Sequence, residues 1–139
     1  MVGFDGSPAA DAALAFALEE AKLRNLPLRI VCAWEIPALQ SAGSAFAPTA
    51  DPIEAAERHA DAVLEEAAAK VGPDPGIHVE AVAIQGHPAT VLADQSRDAK
   101  LLVVGSRGRG AARSLVLGSV SQAIMHHCGC PLLIVPAAD

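Results

Sequence analysis

Short apolar runs rich in β-branched residues alternate with amphipathic, alanine-rich stretches along the whole chain. Few architectures accommodate that alternation. Leu28-Arg-Ile-Val-Cys-Ala-Trp34, Ile77 to Ile84, Leu101 to Val104 and Leu132 to Val135 each read as a strand bounded by Gly or Pro. Met1-Val-Gly-Phe4 reads as the tail of another. Two of the runs, Leu101 to Val104 and Leu132 to Val135, are apolar throughout, as strands of a parallel sheet covered on both faces must be. Between them lie four helical patterns. Ser7-Pro8 opens the first, with Ser as N-cap and Pro at the first helical position, and Ala10, Leu14, Ala17, Leu18 and Ala21 make its apolar stripe. Residues 53–71 repeat the pattern with Ala56, Ala60, Val63, Leu64 and Ala67. Pro88 to Arg97 gives a third helix, and Leu115 to His127 a fourth, closed by Gly129 and Pro131. The order β-α-β-α-β-α-β-α-β predicts right-handed crossovers and a doubly wound α/β sheet, in a chain of a length that suits one domain, residues 1–139. Residues 38–52, small and rich in Ser, Gly and Pro, read as a loop.

Composition narrows the partners. The net charge is −6, which works against nucleic acid and anionic lipid. With three Phe, one Trp and no Tyr, there is little to build a base-stacking platform. Charge is distributed unevenly, however. Leu101 to Ala138 contains no Asp or Glu but holds Arg107, Arg109 and Arg113, so it carries +3 and the remainder −9. A basic island in an acidic chain points to a small anionic ligand. Three cysteines, one inside an apolar run, argue against a disulfide framework and for a reducing cytoplasm. No apolar run reaches the length of a membrane span, and the N-terminus does not read as a signal peptide.

In an open parallel sheet, ligands bind beyond the carboxyl ends of the strands. Three segments reach that edge: Gly3 to Ser7, Ala33-Trp-Glu35, and the stretch from Gly105 to Ser121. The last is the richest. Gly105, Gly108 and Gly110 would let backbone approach a ligand, and free N–H groups near Gly118-Ser119 at the start of the fourth helix would face an anion. A Gly118→Val change is expected to place a side chain where phosphate sits. The stretch is not a P-loop, since no Gly-Lys-Ser/Thr ends it, nor is it the dinucleotide fingerprint of a first β-α turn. Read alone, it also fits a glycine-rich loop that merely turns the chain. Asp5, ending the first strand, can accept hydrogen bonds from a ribose or an adenine amino group, or serve only an Asx turn with Gly6.

The spacing Gly105-x2-Gly108-x9-Gly118-Ser119 resembles the ATP-binding signature of the universal stress protein family. Val2-Gly-Phe-Asp-Gly-Ser7 is similar to that family's first strand and turn, and Pro131-Leu-Leu-Ile-Val-Pro136 to its last strand, so the resemblance covers essentially the whole chain. It implies a five-stranded parallel sheet of order 3-2-1-4-5, with helices on both faces, and ATP, with or without Mg, bound across the carboxyl edge. By matching positions, Gly3, Phe4, Asp5 and the backbone near Ala33 would hold base and ribose. Gly105, Arg107 and Gly108 would line ribose and phosphates, and Gly118, Ser119, Val120 and Ser121 would contact the phosphates. It further implies a homodimer pairing the apolar edge strand Leu132 to Val135, and more apolar residues ahead of Val2, so that additional chain is expected before Met1.

Other candidates are weaker. His126 and His127 are adjacent on a helix, pointing about 100° apart, and no second Cys or His cluster completes a metal site with Cys128 and Cys130. Glu35 alone makes a weak magnesium site. His87 reads as a loop residue at the mouth of the third helix, and His59 and His78 as surface residues. No nucleophile elbow or paired Ser/His/Asp stands out, so any hydrolysis of ATP is expected to be slow, from phosphate positioning alone. The expected function is a nucleotide-dependent stress sensor or regulator. The alternatives are an interaction module of the same fold without nucleotide and, ranked last, an adenylate-forming enzyme, whose pyrophosphate loop Asp5-Gly-Ser7 is too short to supply.

Overall fold

A computed structural model describes residues 1–36, 51–110 and 117–137. Five parallel strands, β1 (Val2–Gly3), β2 (Leu28–Trp34), β3 (Val79–Gln85), β4 (Leu102–Gly105) and β5 (Leu132–Val135), form one sheet in the order β3-β2-β1-β4-β5. The helices between them are α1 (Pro8–Arg24), α2 (Pro52–Val71), α3 (Pro88–Gln95) and α4 (Ser119–His127). The order expected from the sequence is the one observed.

Side-chain alternation along the strands divides the core between the two faces. Val2, Ile30, Cys32 and Val103 pack with Ala13, Leu14 and Ala17 of α1 and with Val63, Leu64 and Ala67 of α2. Val31, Leu102 and Val104 point the other way, onto Val91 and Leu92 of α3 and Ile124 of α4. Both faces of the central strands are therefore covered, which is why β4 reads as an unbroken apolar run. Val2 faces Ile30 on one side and Val103 on the other, so the two residues of β1 sit at the centre of the sheet. Leu18, placed in the stripe of α1, is only partly buried at the rim of the first cluster.

Several element boundaries differ from the sequence reading, β4 by one residue at each end. β3 starts at Val79 rather than Ile77 and extends to Gln85, in register with Trp34 of β2. α3 ends at Gln95, and the chain tightens into a single 3-10 turn, Ser96–Asp98, because the buried Ser96 hydroxyl donates to the Ala93 carbonyl (2.6 Å). α4 begins at Ser119, not Leu115, with Gly118 as an extended N-cap. Residues 115 and 116 lie outside the described residues, as do 38–50 of the expected loop and Arg113. Asp51 and Pro52, the last residues assigned to that loop, start α2 instead: the Asp51 carboxylate caps it, accepting from the Ile53 N–H at 2.9 Å.

Candidate functional site

The carboxyl ends of β1, β2 and β4 open onto a cavity of about 110 Å³. Nine of the eleven residues predicted from sequence line it: Gly3, Phe4, Asp5, Ala33, Gly105, Arg107, Gly108, Val120 and Ser121. Gly118 and Ser119 do not. Ser7, already placed at this edge by the segment Gly3 to Ser7, completes the lining with Ala10, Val31, Pro88, Leu92 and Val104, which sequence reasoning did not assign to the site. Most of these are core residues, with Pro88 at the start of α3, and only the fold shows that they reach the sheet edge. A larger cavity, about 510 Å³, lies at the opposite end of the strands beside Met1, Leu28 and Leu101. Size alone does not make it the candidate, because loops converge with polar backbone at the carboxyl edge.

The site is knitted from two loops, one after β1 and one after β4. Ser7 caps α1 through its hydroxyl, which accepts from the Ala10 N–H (3.2 Å) and donates to the Arg107 carbonyl (3.3 Å). The Asp5 carboxylate accepts from the Ser7 N–H (3.0 Å) on one oxygen and from the Arg109 N–H (3.3 Å) on the other. Asp5 thus forms an Asx-type turn and clasps the β4 loop to the β1 loop. Gly6, at φ +75°, makes the turn that lets it do so. The loop after β4 is closed on itself: the Gly118 N–H donates to the Ser106 carbonyl (2.7 Å), and the Ser121 hydroxyl donates to the Gly105 carbonyl (2.8 Å). The Ser106 N–H in turn donates to Val135 of β5 (2.7 Å).

Packing gives several of the glycines a reason beside the one spacing suggested. A Cβ on Gly105 would stand 2.7 Å from the Ala9 carbonyl carbon and 2.9 Å from the Ala10 nitrogen, so this glycine lets β4 approach α1. A Cβ on Gly108 would meet Asp5 Oδ2 at 2.8 Å, and one on Gly3 would meet Leu92 Cδ1 at 2.8 Å. Gly118 is buried, and its Cβ would face the backbone of Arg107, Gly108 and Ser106 at 3.5–3.6 Å. These are ordinary van der Waals contacts, so a Cβ at Gly118 meets the loop without a clash. Of these glycines, only Gly110 faces open space.

What the site offers a ligand is therefore backbone. Gly118 has no side chain to cap α4, and the first intrahelical bond is Gln122 N–H to Gly118 O (3.1 Å), leaving the N–H groups of Ser119, Val120 and Ser121 in the first turn. Val120 and Ser121 reach the cavity. Positive charge flanks it in Arg107 and Arg109. Arg109 contacts the exposed His59 ring of α2, a residue fifty positions away that the sequence reading left on the surface. Glu35 is exposed just past β2, and among the described residues no three His, Cys, Asp or Glu side chains gather into a metal-binding group. Among the described residues no helix is long and apolar enough to cross a membrane.

A 3-2-1-4-5 parallel sheet with a glycine-rich loop running from its fourth strand into an uncapped helix defines a class of α/β domain built to present backbone amides at one edge. The universal stress protein family model matches residues 1–136, and the chain belongs to that family. Universal stress protein Rv2005c of Mycobacterium tuberculosis is 35% identical over 135 residues, which cover 96% of this chain and 44% of the relative. The chain thus spans about half the length of the curated relative it matches. Universal stress protein UspA from Lactobacillus plantarum shares the fold at a TM-score of 0.76 and 19% identity, over 96% of this chain and 95% of that one. A universal stress protein solved in complex with cAMP matches at a TM-score of 0.72 and 26% identity, over 99% of this chain and 95% of that one.

Proposed function

We propose that this chain is a single nucleotide-binding domain that holds ATP at the carboxyl edge of its sheet and serves as a nucleotide-dependent sensor or regulator in the cytoplasm. The observation that carries the reading is the convergence of Asp5, Arg107, Gly108, Val120 and Ser121 on one cavity, beside an uncapped helix start. The cavity is smaller than the roughly 300–1,000 Å³ of sites that enclose a drug-sized ligand, so it fits a base or ribose, with phosphates outward along the loop. In this reading Asp5 and Ala33 hold the nucleoside, Gly3 and Phe4 form the floor, Arg107 supplies charge, and the N–H groups of Ser119, Val120 and Ser121 hold phosphate. A bound Mg ion would add charge neutralisation on the phosphates. Among the described residues that line the cavity the one carboxylate is Asp5, whose two oxygens both accept backbone N–H groups, so hydrolysis is expected to be slow or absent. The relative solved with cAMP supports an adenine nucleotide as ligand class.

Asp5 gives the second reading its footing. Both of its oxygens already accept backbone N–H groups, as they would in an interaction module that never binds nucleotide. Calorimetric titration of the folded chain with ATP, AMP and cAMP separates the two, together with mass analysis of any nucleotide released from protein purified without added ligand. Heat with ATP at millimolar concentration or below is expected. No heat with any of the three, and nothing released, overturns the nucleotide reading. We further propose a homodimer through β5, whose four residues are all only half-buried at the sheet edge. Light scattering showing a monomer at micromolar concentration would count against it.

A further inference from the structure

α4 closes at Cys128, and β5 opens just after Cys130, with only Gly129 between them. Their sulfurs stand 3.9 Å apart, both residues are half-buried, and neither is in a disulfide. The turn that holds them is firmly fixed. The Gly129 N–H donates to the fully buried Ser96 hydroxyl (2.8 Å), and the Cys128 N–H to the Ile124 carbonyl (2.9 Å). The Pro131 carbonyl accepts from the Leu102 N–H (3.0 Å). A Cβ on Gly129 would lie 3.0 Å from Arg97 Cα, so the glycine is pressed against the 3-10 turn and the turn has little room to move. Two thiols one residue apart on a hydrogen-bonded turn, with their sulfurs already in contact at 3.9 Å, are placed to close on each other once the sulfurs move to the about 2.05 Å of a disulfide. Cys32 stands apart from them: it is buried in the core beneath α1 and α2, and burial pushes its thiol up to about 11.

We propose that Cys128 and Cys130 form a reversible dithiol–disulfide pair that responds to a small-molecule disulfide such as oxidised glutathione. One thiolate attacks a sulfur of the glutathione disulfide. The S–S bond breaks, and one glutathione leaves as thiolate and takes up a proton. The neighbouring cysteine, deprotonated, then attacks the mixed disulfide and expels the second glutathione. Two protein thiols are oxidised to one disulfide, and one glutathione disulfide is reduced to two thiols.

The test equilibrates the full chain in glutathione buffers spanning reduced to oxidised poise, quenches with acid, alkylates, and reads intact mass and peptides. The expected product has lost two hydrogens within the peptide holding Cys128 and Cys130, with Cys32 alkylated only after denaturation. It returns to the dithiol on adding reduced glutathione. Cys128→Ser and Cys130→Ser, each checked for native circular dichroism, should accumulate a persistent mixed disulfide with glutathione that the parent resolves. A parent chain that also stops at the mixed disulfide, that links to a second chain, or that keeps both thiols at the most oxidised poise would overturn the proposal. Should either serine variant misfold, the parent's own products decide the matter by the same criteria.

Discussion

Gly105→Ala tests whether the glycines of the β4 loop serve the fold or the ligand. The new methyl would sit 2.7 Å from Ala9 C, 2.8 Å from Ala9 Cβ and 2.9 Å from Ala10 N. Favourable carbon contacts begin near about 3.5 Å, so β4 and the start of α1 must separate by roughly 0.7 Å. Two of the three close atoms are backbone, and no rotamer change relieves them. Overpacking of this kind costs about 1–3 kcal/mol, and the rigid partner puts this site at the upper end. Replacing glycine returns about 0.4–1 kcal/mol by restricting the unfolded chain, because the backbone here is not at positive φ. The net loss is about 2 kcal/mol. At roughly 4 °C per kcal/mol for a chain of this size, the melting temperature should fall by about 8 °C. Gly118→Ala is the control. Its methyl meets nothing closer than 3.5 Å, and φ −77°, ψ 163° suits any residue. The loss of N-cap preference, a few tenths of a kcal/mol to about 1 kcal/mol, nearly offsets the gain from restricting the unfolded chain. Its midpoint should stay within about 0.5 kcal/mol of the parent. Urea denaturation followed by circular dichroism measures both. A Gly105→Ala protein as stable as the parent but deaf to ATP in calorimetry would refute the steric argument and return that glycine to the ligand.

Asp5→Ala removes the acceptor for the Ser7 and Arg109 N–H groups and should cost about 1–2 kcal/mol in denaturation midpoint. In limited proteolysis it should also open the peptide bond nearest Arg109; an unchanged cleavage pattern would speak against the clasp. Ser96→Ala removes the fully buried hydroxyl that accepts the part-buried Gly129 N–H and should cost about 1–2 kcal/mol. A loss below about 0.5 kcal/mol would mean the turn is held by other contacts. Burial raises the Cys32 thiol from 9.0 to about 11, so the folded chain keeps a proton that the unfolded chain releases. The stability this represents is complete below pH 9 and is lost as pH rises through about 11. Cys32→Ala should flatten that alkaline decline, and identical declines in parent and variant would show that Cys32 does not contribute to it.

The fold was legible in the sequence because its determinants are local. Ser7-Pro8 announces a helix start with no reference to the rest of the chain, and Leu28 to Trp34 is apolar enough to be a covered strand wherever it lies. The boundary errors fall where a distant partner intervened. α3 stops short of Arg97 because Ser96 is buried and turned back on Ala93, while its oxygen also receives Gly129 from 33 residues away. The same division runs through the site. Nine of the residues named from the sequence line one cavity because the spacing of glycines and the ends of strands are written along the chain. Their partners are not, since Asp5 reaches Arg109 across 104 residues and Ser7 reaches Arg107 across 100. Glycine spacing marks where the backbone comes close to something without revealing what that something is. At Gly105 it is helix α1, at Gly108 the Asp5 carboxylate, and at Gly3 the Leu92 side chain. The motif is thus a record of how tightly β1, α1 and the β4 loop must pack before any ligand arrives. A phosphate would then be held by the first-turn amides of Ser119, Val120 and Ser121, which follow directly on the Gly118 that closes the glycine spacing.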